Sequence, residues 1–174
     1  VKLIVVPLII VCLAILGIGY VSSYLLRNSM LNQMRQSGLD RTAELANQIE
    51  QYALISETIN EMIENNIRAI GKNVITNQDR LNNEVLIQMA KDLDADEINL
   101  YNEYGEIIFS NLVEDNVGWV APETHFAQTI LRANKDELME ETRQSLLDSN
   151  YYKYGYINSP KGGVIQVGIN ANRI

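Results

Sequence analysis

Five of the nine tyrosines in this sequence are Tyr101, Tyr151, Tyr152, Tyr154 and Tyr156. In an extended strand alternate side chains share a face. Tyr152, Tyr154 and Tyr156 then lie on one side, and Tyr151, Lys153 and Ile157 on the other. The segment before them places Met139, Glu141, Arg143 and Ser145 on one face if it is extended. Aromatic walls with a few polar anchors are the usual make-up of a small-molecule pocket. Tyr101, Phe109, Trp119, Tyr154 and Tyr156 are the candidate walls. Arg143 offers paired donors to a carboxylate. His125, the single histidine, would add a pH-sensitive donor. Each residue also has an ordinary reading: cross-strand packing for the tyrosines, a surface ion pair with Glu140 or Glu141 for Arg143, and a helix start for His125.

Other chemistry finds less support. Asp92, Asp94 and Asp96, with Glu103 further on, imitate calcium-loop spacing, but Glu97 stands where the loop needs glycine. No metal site is expected. The only cysteine, Cys12, permits neither an intrachain disulfide nor a multi-cysteine zinc site. There is no Gly-x-Ser-x-Gly elbow, phosphate loop or His-Glu-x-x-His motif, so neither catalysis nor a cofactor is expected. The net charge of -8, with 14 scattered basic residues, argues against nucleic acid as a partner.

The elements that position the tyrosines follow from hydrophobic periodicity. Leu3 to Leu26 carries no charged side chain. At about 1.5 Å per residue it spans a hydrocarbon layer of roughly 30 Å. It is longer than a secretory signal's apolar region and lacks a small-residue cleavage site, so residues 1–26 read as an uncleaved transmembrane anchor. Helical character continues to about Asn73. One seam is Thr42, Leu45, Ile49, Tyr52, Ser56, Ile59, Ile63, Asn66 and Ile70; a second stripe is Ala46, Ala53, Asn60 and Ile67. Two stripes suggest two partners, the helix's own domain and a sister helix in a homodimer; a single broad core face is the simpler alternative.

Gly71 and Asn77-Gln78-Asp79 mark a break, and a second helix is expected over about Arg80–Leu93, so residues 27–94 form the helical part. The period then falls to two. Ile98 and Leu100 alternate with Glu97, Asn99 and Tyr101, the turn Asn102–Gly105 follows, and Glu106–Asn111 returns. A loop from Leu112 to about Glu123, a short helix over Thr124–Ala133 and strands near 138–146, 151–158 and 163–170 complete residues 95–174. The expected fold is α+β: the anchor, a long amphipathic helix, and a five-stranded antiparallel sheet with helices on both sides.

This order, together with particular phrases, resembles the single Cache domain, a PAS-like extracytoplasmic sensor. The phrases are Ala95–Tyr101, Tyr104–Asn111, Tyr152–Ile157 and Gly163–Ile169. They are similar to sensor regions of methyl-accepting chemotaxis proteins. The resemblance covers about residues 30–174, so residues 27–174 are expected to be one sensor domain. It implies a bacterial transmembrane chemoreceptor at the cell membrane, with its sensor outside and no catalytic activity. It also implies a small ligand, an amino acid or small carboxylate, bound between the sheet and its mid-domain cover. In such receptors a second membrane helix, a HAMP segment and a cytoplasmic signalling helix follow. The chain starts without Met and reads as a piece of a longer protein. The same sensor could instead drive a histidine kinase or a diguanylate cyclase. A pilin-like structural subunit shares the architecture, but Val1 and Val5 stand where pilins carry Phe and an acidic residue.

Overall fold

A computed structural model describes residues 2–144 and 149–173, with side chains from Leu8 onward among them. The chain forms two compact units, Val1–Ile55 and Ser56–Ile174, both of which draw on helix α1, Lys2–Thr76. In the first unit α1 is long and apolar enough to cross a membrane. Leu13, Leu16 and Ile18 are exposed there. A helix satisfies its backbone groups internally, so such a surface suits hydrocarbon. Leu45, Ile49 and Tyr52, which continue the expected seam, are exposed too.

In the second unit the end of α1 lies against a sheet. Ile63, Ile67, Ile70 and Val74 step by four, three and four, and all are buried. Here the two expected stripes merge: Ile63 and Ile70 of one and Ile67 of the other enter a single core. Gly71 is not a break, because α1 runs on to Thr76. Its role is close approach, since a Cβ there would sit 2.1 Å from Ile157 Cδ1. The next helix, α2, is Asn83–Asp92 and starts later than periodicity suggested. The Asn82 carboxamide accepts from the Val85 amide at 2.8 Å and caps it there. Residues Gln78–Arg80 form only a 3-10 turn, and Leu81 is buried from extended backbone.

The strands are β1 (Glu97–Tyr101), β2 (Ile107–Ser110), β3 (Glu137–Met139), β4 (Arg143–Gln144), β5 (Tyr151–Asn158) and β6 (Val164–Asn170). All pairings are antiparallel in the order β2-β1-β6-β5-β3, with β4 also on β5. This is the PAS-like α+β arrangement expected from the sequence. Gly105, at φ 82°, turns β1 into β2, and Gly162 and Gly163, at 93° and 85°, turn β5 into β6. The mid-domain cover holds α3 (Val113–Asn116), which falls where a loop was expected, and α4 (Phe126–Ala133).

One expected strand divides in two, with consequences for the site. Met139 pairs with Gly155, and Arg143 with Tyr152. Four steps along one strand therefore match three along the other, so a residue is bulged out between them. Because side chains alternate with period two, the bulge reverses the face. Met139 packs on the core under α1, while Arg143 joins Tyr152 and Tyr154 on the opposite side. The expected shared face of Met139 and Arg143 is thereby corrected; Ser145 lies outside the described residues. A similar irregularity between Leu100 and Tyr101 pairs Leu100 with Phe109 and Tyr101 with Ile107.

The sheet thus separates two cores. Ile98, Leu100, Ile157, Ile165, Val167 and Ile169 face α1 and α2. Tyr101, Ile107, Tyr156 and Val164 face Ala121, Ala127 and Ile130 of the cover. Lys153, on the α1 side of β5, is buried with its Nζ 2.8 Å from Glu64 of α1. Glu64 also binds Arg68, which binds Glu137 of β3 at 2.8 Å.

Candidate functional site

On the face away from α1 a cavity of about 250 Å³ opens between the sheet and the cover. Its floor comes from alternate residues of adjacent strands: Glu97, Asn99 and Tyr101 of β1, Gln166 of β6, Tyr154 of β5 and Arg143 of β4. Asp115 and Asn116 of α3, Trp119 and His125 close it from the cover side. The floor residues meet because β1 pairs with β6 and β6 with β5, which sets Asn99 opposite Gln166 and Gln166 opposite Tyr156.

Hydrogen bonds fix the floor. The Tyr101 hydroxyl donates to Gln166 Oε1 at 2.6 Å, and Asn99 Nδ2 donates to the same oxygen at 3.0 Å. Gln166 Nε2 reaches the Tyr156 hydroxyl at 3.4 Å. That hydroxyl donates to Glu140 Oε1 at 2.7 Å, and Arg143 Nε donates to Glu140 Oε2 at 2.8 Å. Asn99, Gln166 and Glu140 are all buried, so the amides and the carboxylate are oriented by partners rather than by water. Glu97 Oε1 accepts from Asn99 Nδ2 at 2.6 Å and Asn116 Nδ2 at 3.0 Å, tying β1 to α3.

The aromatic groups are layered around this network. The Arg143 guanidinium sits 4.7 Å above the Tyr154 ring, a cation–π contact, and Tyr152 stacks on Tyr154 at 6.0 Å. The His125 ring meets Trp119 edge-on at 5.2 Å and Tyr156 at 5.5 Å. It also caps α4, its Nδ1 accepting from the Ala127 amide at 3.3 Å. Burial pushes the His125 pKa down, which favours the neutral ring able to cap. Burial pushes Tyr101, Tyr154 and Tyr156 up, so their hydroxyls stay protonated and able to donate. Burial also raises Glu97, against the opposing hydrogen bonds from Asn99, Asn116 and Tyr154.

Of the residues singled out from the sequence, Tyr101, Trp119, His125, Arg143 and Tyr154 line the cavity. Tyr156 lies beside it, touching His125 and Phe126 and holding Glu140. Phe109 is not brought in: opposite Leu100, it packs on the α1 and α2 core. Arg143 does pair with Glu140, the ordinary alternative, while its guanidinium also faces the cavity. His125 does start a helix. Glu97, Asn99 and Gln166 were missed as site residues. The strand alternation that groups Glu97 and Asn99 with Tyr101 is the signal that would have found them. Asp115 and Asn116 had no signal, because their stretch reads as loop. Asp94 and Asp96 of the calcium-like run are instead bound to Arg173 at 2.9 and 2.6 Å. Among the described residues no group of His, Cys, Asp and Glu is placed to hold a metal ion.

No family model matches the chain, and no curated protein sequence matches it. Similar solved structures include the ligand-binding domain of the Campylobacter jejuni chemoreceptor Tlp3, in complex with 4-methylisoleucine. It is 14% identical, with a TM-score of 0.49, over 68% of this chain and 54% of that one. The Bacillus subtilis YkuI protein, with an EAL domain, is 12% identical with a TM-score of 0.48, over 70% and 35%. The sensor domain of the V. cholerae histidine kinase DctB is 18% identical with a TM-score of 0.39, over 82% and 56%. The chain therefore spans between about a third and just over half of the length of these structures.

Proposed function

We propose that this chain is the ligand-sensing part of a bacterial transmembrane receptor, held at the cell membrane by its N-terminal helix with the sheet domain outside. The observation that carries this reading is the cavity of about 250 Å³, floored by a fully hydrogen-bonded strand surface and walled by Tyr101, Trp119 and Tyr154. Concave sites with aromatic walls and a few oriented polar groups are built for small molecules. Nothing in the network suggests a nucleophile paired with a base, so the reading assigns binding and no catalysis. Chemotaxis is the output that the sequence resemblance implies.

Signalling in this reading runs through the sheet. Residues of β5 alternate between the two faces: Tyr154 lies under Arg143 in the cavity, and the adjacent Lys153 is bound to Glu64 of α1. A ligand that shifts β4 and β5 acts on α1 through that pair, and α1 carries the displacement toward the membrane. The exposed Leu45, Ile49 and Tyr52 are the surface through which two copies pair.

Calorimetry of the detergent-solubilised chain against amino acids and small carboxylates tests the binding claim. Saturable heat from a member of the panel, weakened at least tenfold by Arg143→Ala, is the expected result. Unchanged affinity in that variant would remove Arg143 from the site.

A further inference from the structure

His125 both walls the cavity and starts the helix above it. Its Nδ1 accepts from the Ala127 amide at 3.3 Å, so in the neutral ring the proton lies on Nε2. That nitrogen faces the Tyr156 hydroxyl at 3.5 Å, and the hydroxyl in turn donates to Glu140 at 2.7 Å. The ring also meets Trp119 edge-on at 5.2 Å and lies 6.0 Å from the ring of Tyr101. Neutral His125 thus joins the first turn of α4 to β1, to β5 and to Trp119 of the cover.

Protonation breaks this arrangement at a defined atom. An imidazolium carries a proton on both nitrogens, so its Nδ1–H would face the Ala127 N–H, donor against donor. Ala127 is fully buried, and water cannot supply the lost acceptor while the turn stays in place. The new charge also stands at the N-terminal end of α4, where the helix dipole opposes it. Burial outweighs the attraction of Glu140 and acts together with the repulsion of Arg143, so the closed cover favours the neutral ring. Glu140 has both oxygens engaged already, by Tyr156 and Arg143. The hydroxyls of Tyr101 and Tyr156, raised by burial, stay neutral. Glu97 and Asp115 line the same cavity and attract an imidazolium, but they restore no acceptor to the Ala127 amide. On α4 itself Arg132 is paired with Glu123 at 2.9 Å. Releasing the first turn of α4 lets water reach both the imidazolium and the amide. We propose that His125 is a proton-operated latch on the cavity: neutral, it holds the first turn of α4 over the site; protonated, it lets that turn go, so acidification opens the site and weakens ligand binding. The effect on a ligand rests on the reading of the cavity as a ligand site; the latch itself does not.

Amide hydrogen exchange of the full chain in nanodiscs, without ligand, tests the latch. The lowered pKa belongs to the closed cover, so closure is fully favoured above the ordinary histidine value of about 6.5 and is lost as pH falls below it. With the intrinsic exchange rate divided out, the opening constant of residues 125–129 should rise by up to about tenfold per pH unit below that value, the slope set by one linked proton. The amides of β1 and β6 should stay protected over the same range. His125→Asn keeps a side-chain acceptor at the cap and does not titrate, so it should remove the slope. A flat wild-type profile, a slope that persists in His125→Asn, or equal loss of protection in β1 and β6 overturns the latch. The wild-type profile decides the matter by itself if the variant does not fold. Calorimetry against the panel of amino acids and small carboxylates, at about pH 7.5 and again below 6.5, reads the other half: affinity should fall on acidification in the wild type and not in His125→Asn. Affinity that stays constant while the turn opens overturns the link to the ligand. If no panel member binds at either pH, the sensor reading fails, and the exchange profile still decides the latch.

Discussion

Removing one oxygen atom, by Tyr156→Phe, tests whether the floor network holds the site. Tyr156 is fully buried, and its hydroxyl gives the buried Glu140 a 2.7 Å hydrogen bond. Phenylalanine fills almost the same space, so no cavity term enters. What is lost is a hydrogen bond to a charged group, about 1.5–3 kcal/mol, with Arg143 left as the one side-chain partner of Glu140 among the described residues. The small gain from not burying a hydroxyl offsets part of this, so the net cost is about 2 kcal/mol. For a unit of roughly 120 residues, with about 3–5 °C per kcal/mol, the melting temperature should fall by about 6–10 °C. Thermal unfolding followed by circular dichroism at neutral pH reads this directly. Tyr104→Phe, at an exposed turn, is the control and should move the midpoint little. A Tyr156→Phe cost below about 0.5 kcal/mol would show that Glu140 finds a replacement donor. The network would then not be the scaffold described above.

Four further outcomes follow from the same geometry. Glu97→Gln should stabilise the unliganded protein at neutral pH, because burial raises the Glu97 pKa and the variant removes that desolvated charge. A raised folded pKa means the native carboxyl contributes stability below the unfolded value, lost as pH rises through the folded one, so the variant's advantage should shrink on acidification in a chemical-denaturation series. His125 has the opposite sign: its folded pKa is lowered by burial, so stability should fall as pH drops from about 6.5 toward that lower value, and His125→Asn should flatten the profile. Glu64→Gln should cost more than Lys153→Met. The first strands a buried ammonium, about 3–5 kcal/mol, whereas the second leaves Glu64 its bond to Arg68; equal costs in urea titrations would contradict the pairing. Gly168→Ala places a Cβ 2.6 Å from Tyr154 Cε1 and 3.2 Å from Glu97 Cβ, so it should displace the cavity wall and weaken ligand binding measured by calorimetry at least tenfold.

Periodicity alone located the long helix with its apolar first part, both hairpins and the division of β5 into an aromatic face and an α1 face. These rest on local signals: an uncharged apolar run, isoleucines spaced by three and four, and Gly162-Gly163 at positive φ. What escaped was register. The bulge that turns Arg143 away from Met139's face, and the irregularity that sends Phe109 to the α1 side while Tyr101 stays at the cavity, are single-residue slips. A strand pattern of period two cannot show such a slip, because every residue beyond it still alternates. Gly71 reads as punctuation, yet its missing side chain admits Ile157 inside an unbroken helix. The polar half of the cavity also escaped. Glu97 and Asn99 read as the wet face of a strand, and only the cover, with Asp115 and Asn116 in a stretch that looks like loop, turns that face into a site.

Trp119, the only tryptophan in the sequence, lines the cavity and touches His125 at 5.2 Å, so its emission reports on the site alone. The most direct test of the sensor claim is to titrate the reconstituted chain with amino acids, amines and small carboxylates while recording that emission. The account predicts a saturable change with one class of compound, abolished by Tyr154→Ala and retained by Tyr104→Phe. A spectrum that stays fixed across the whole panel, or a change that persists undiminished in Tyr154→Ala, would contradict it.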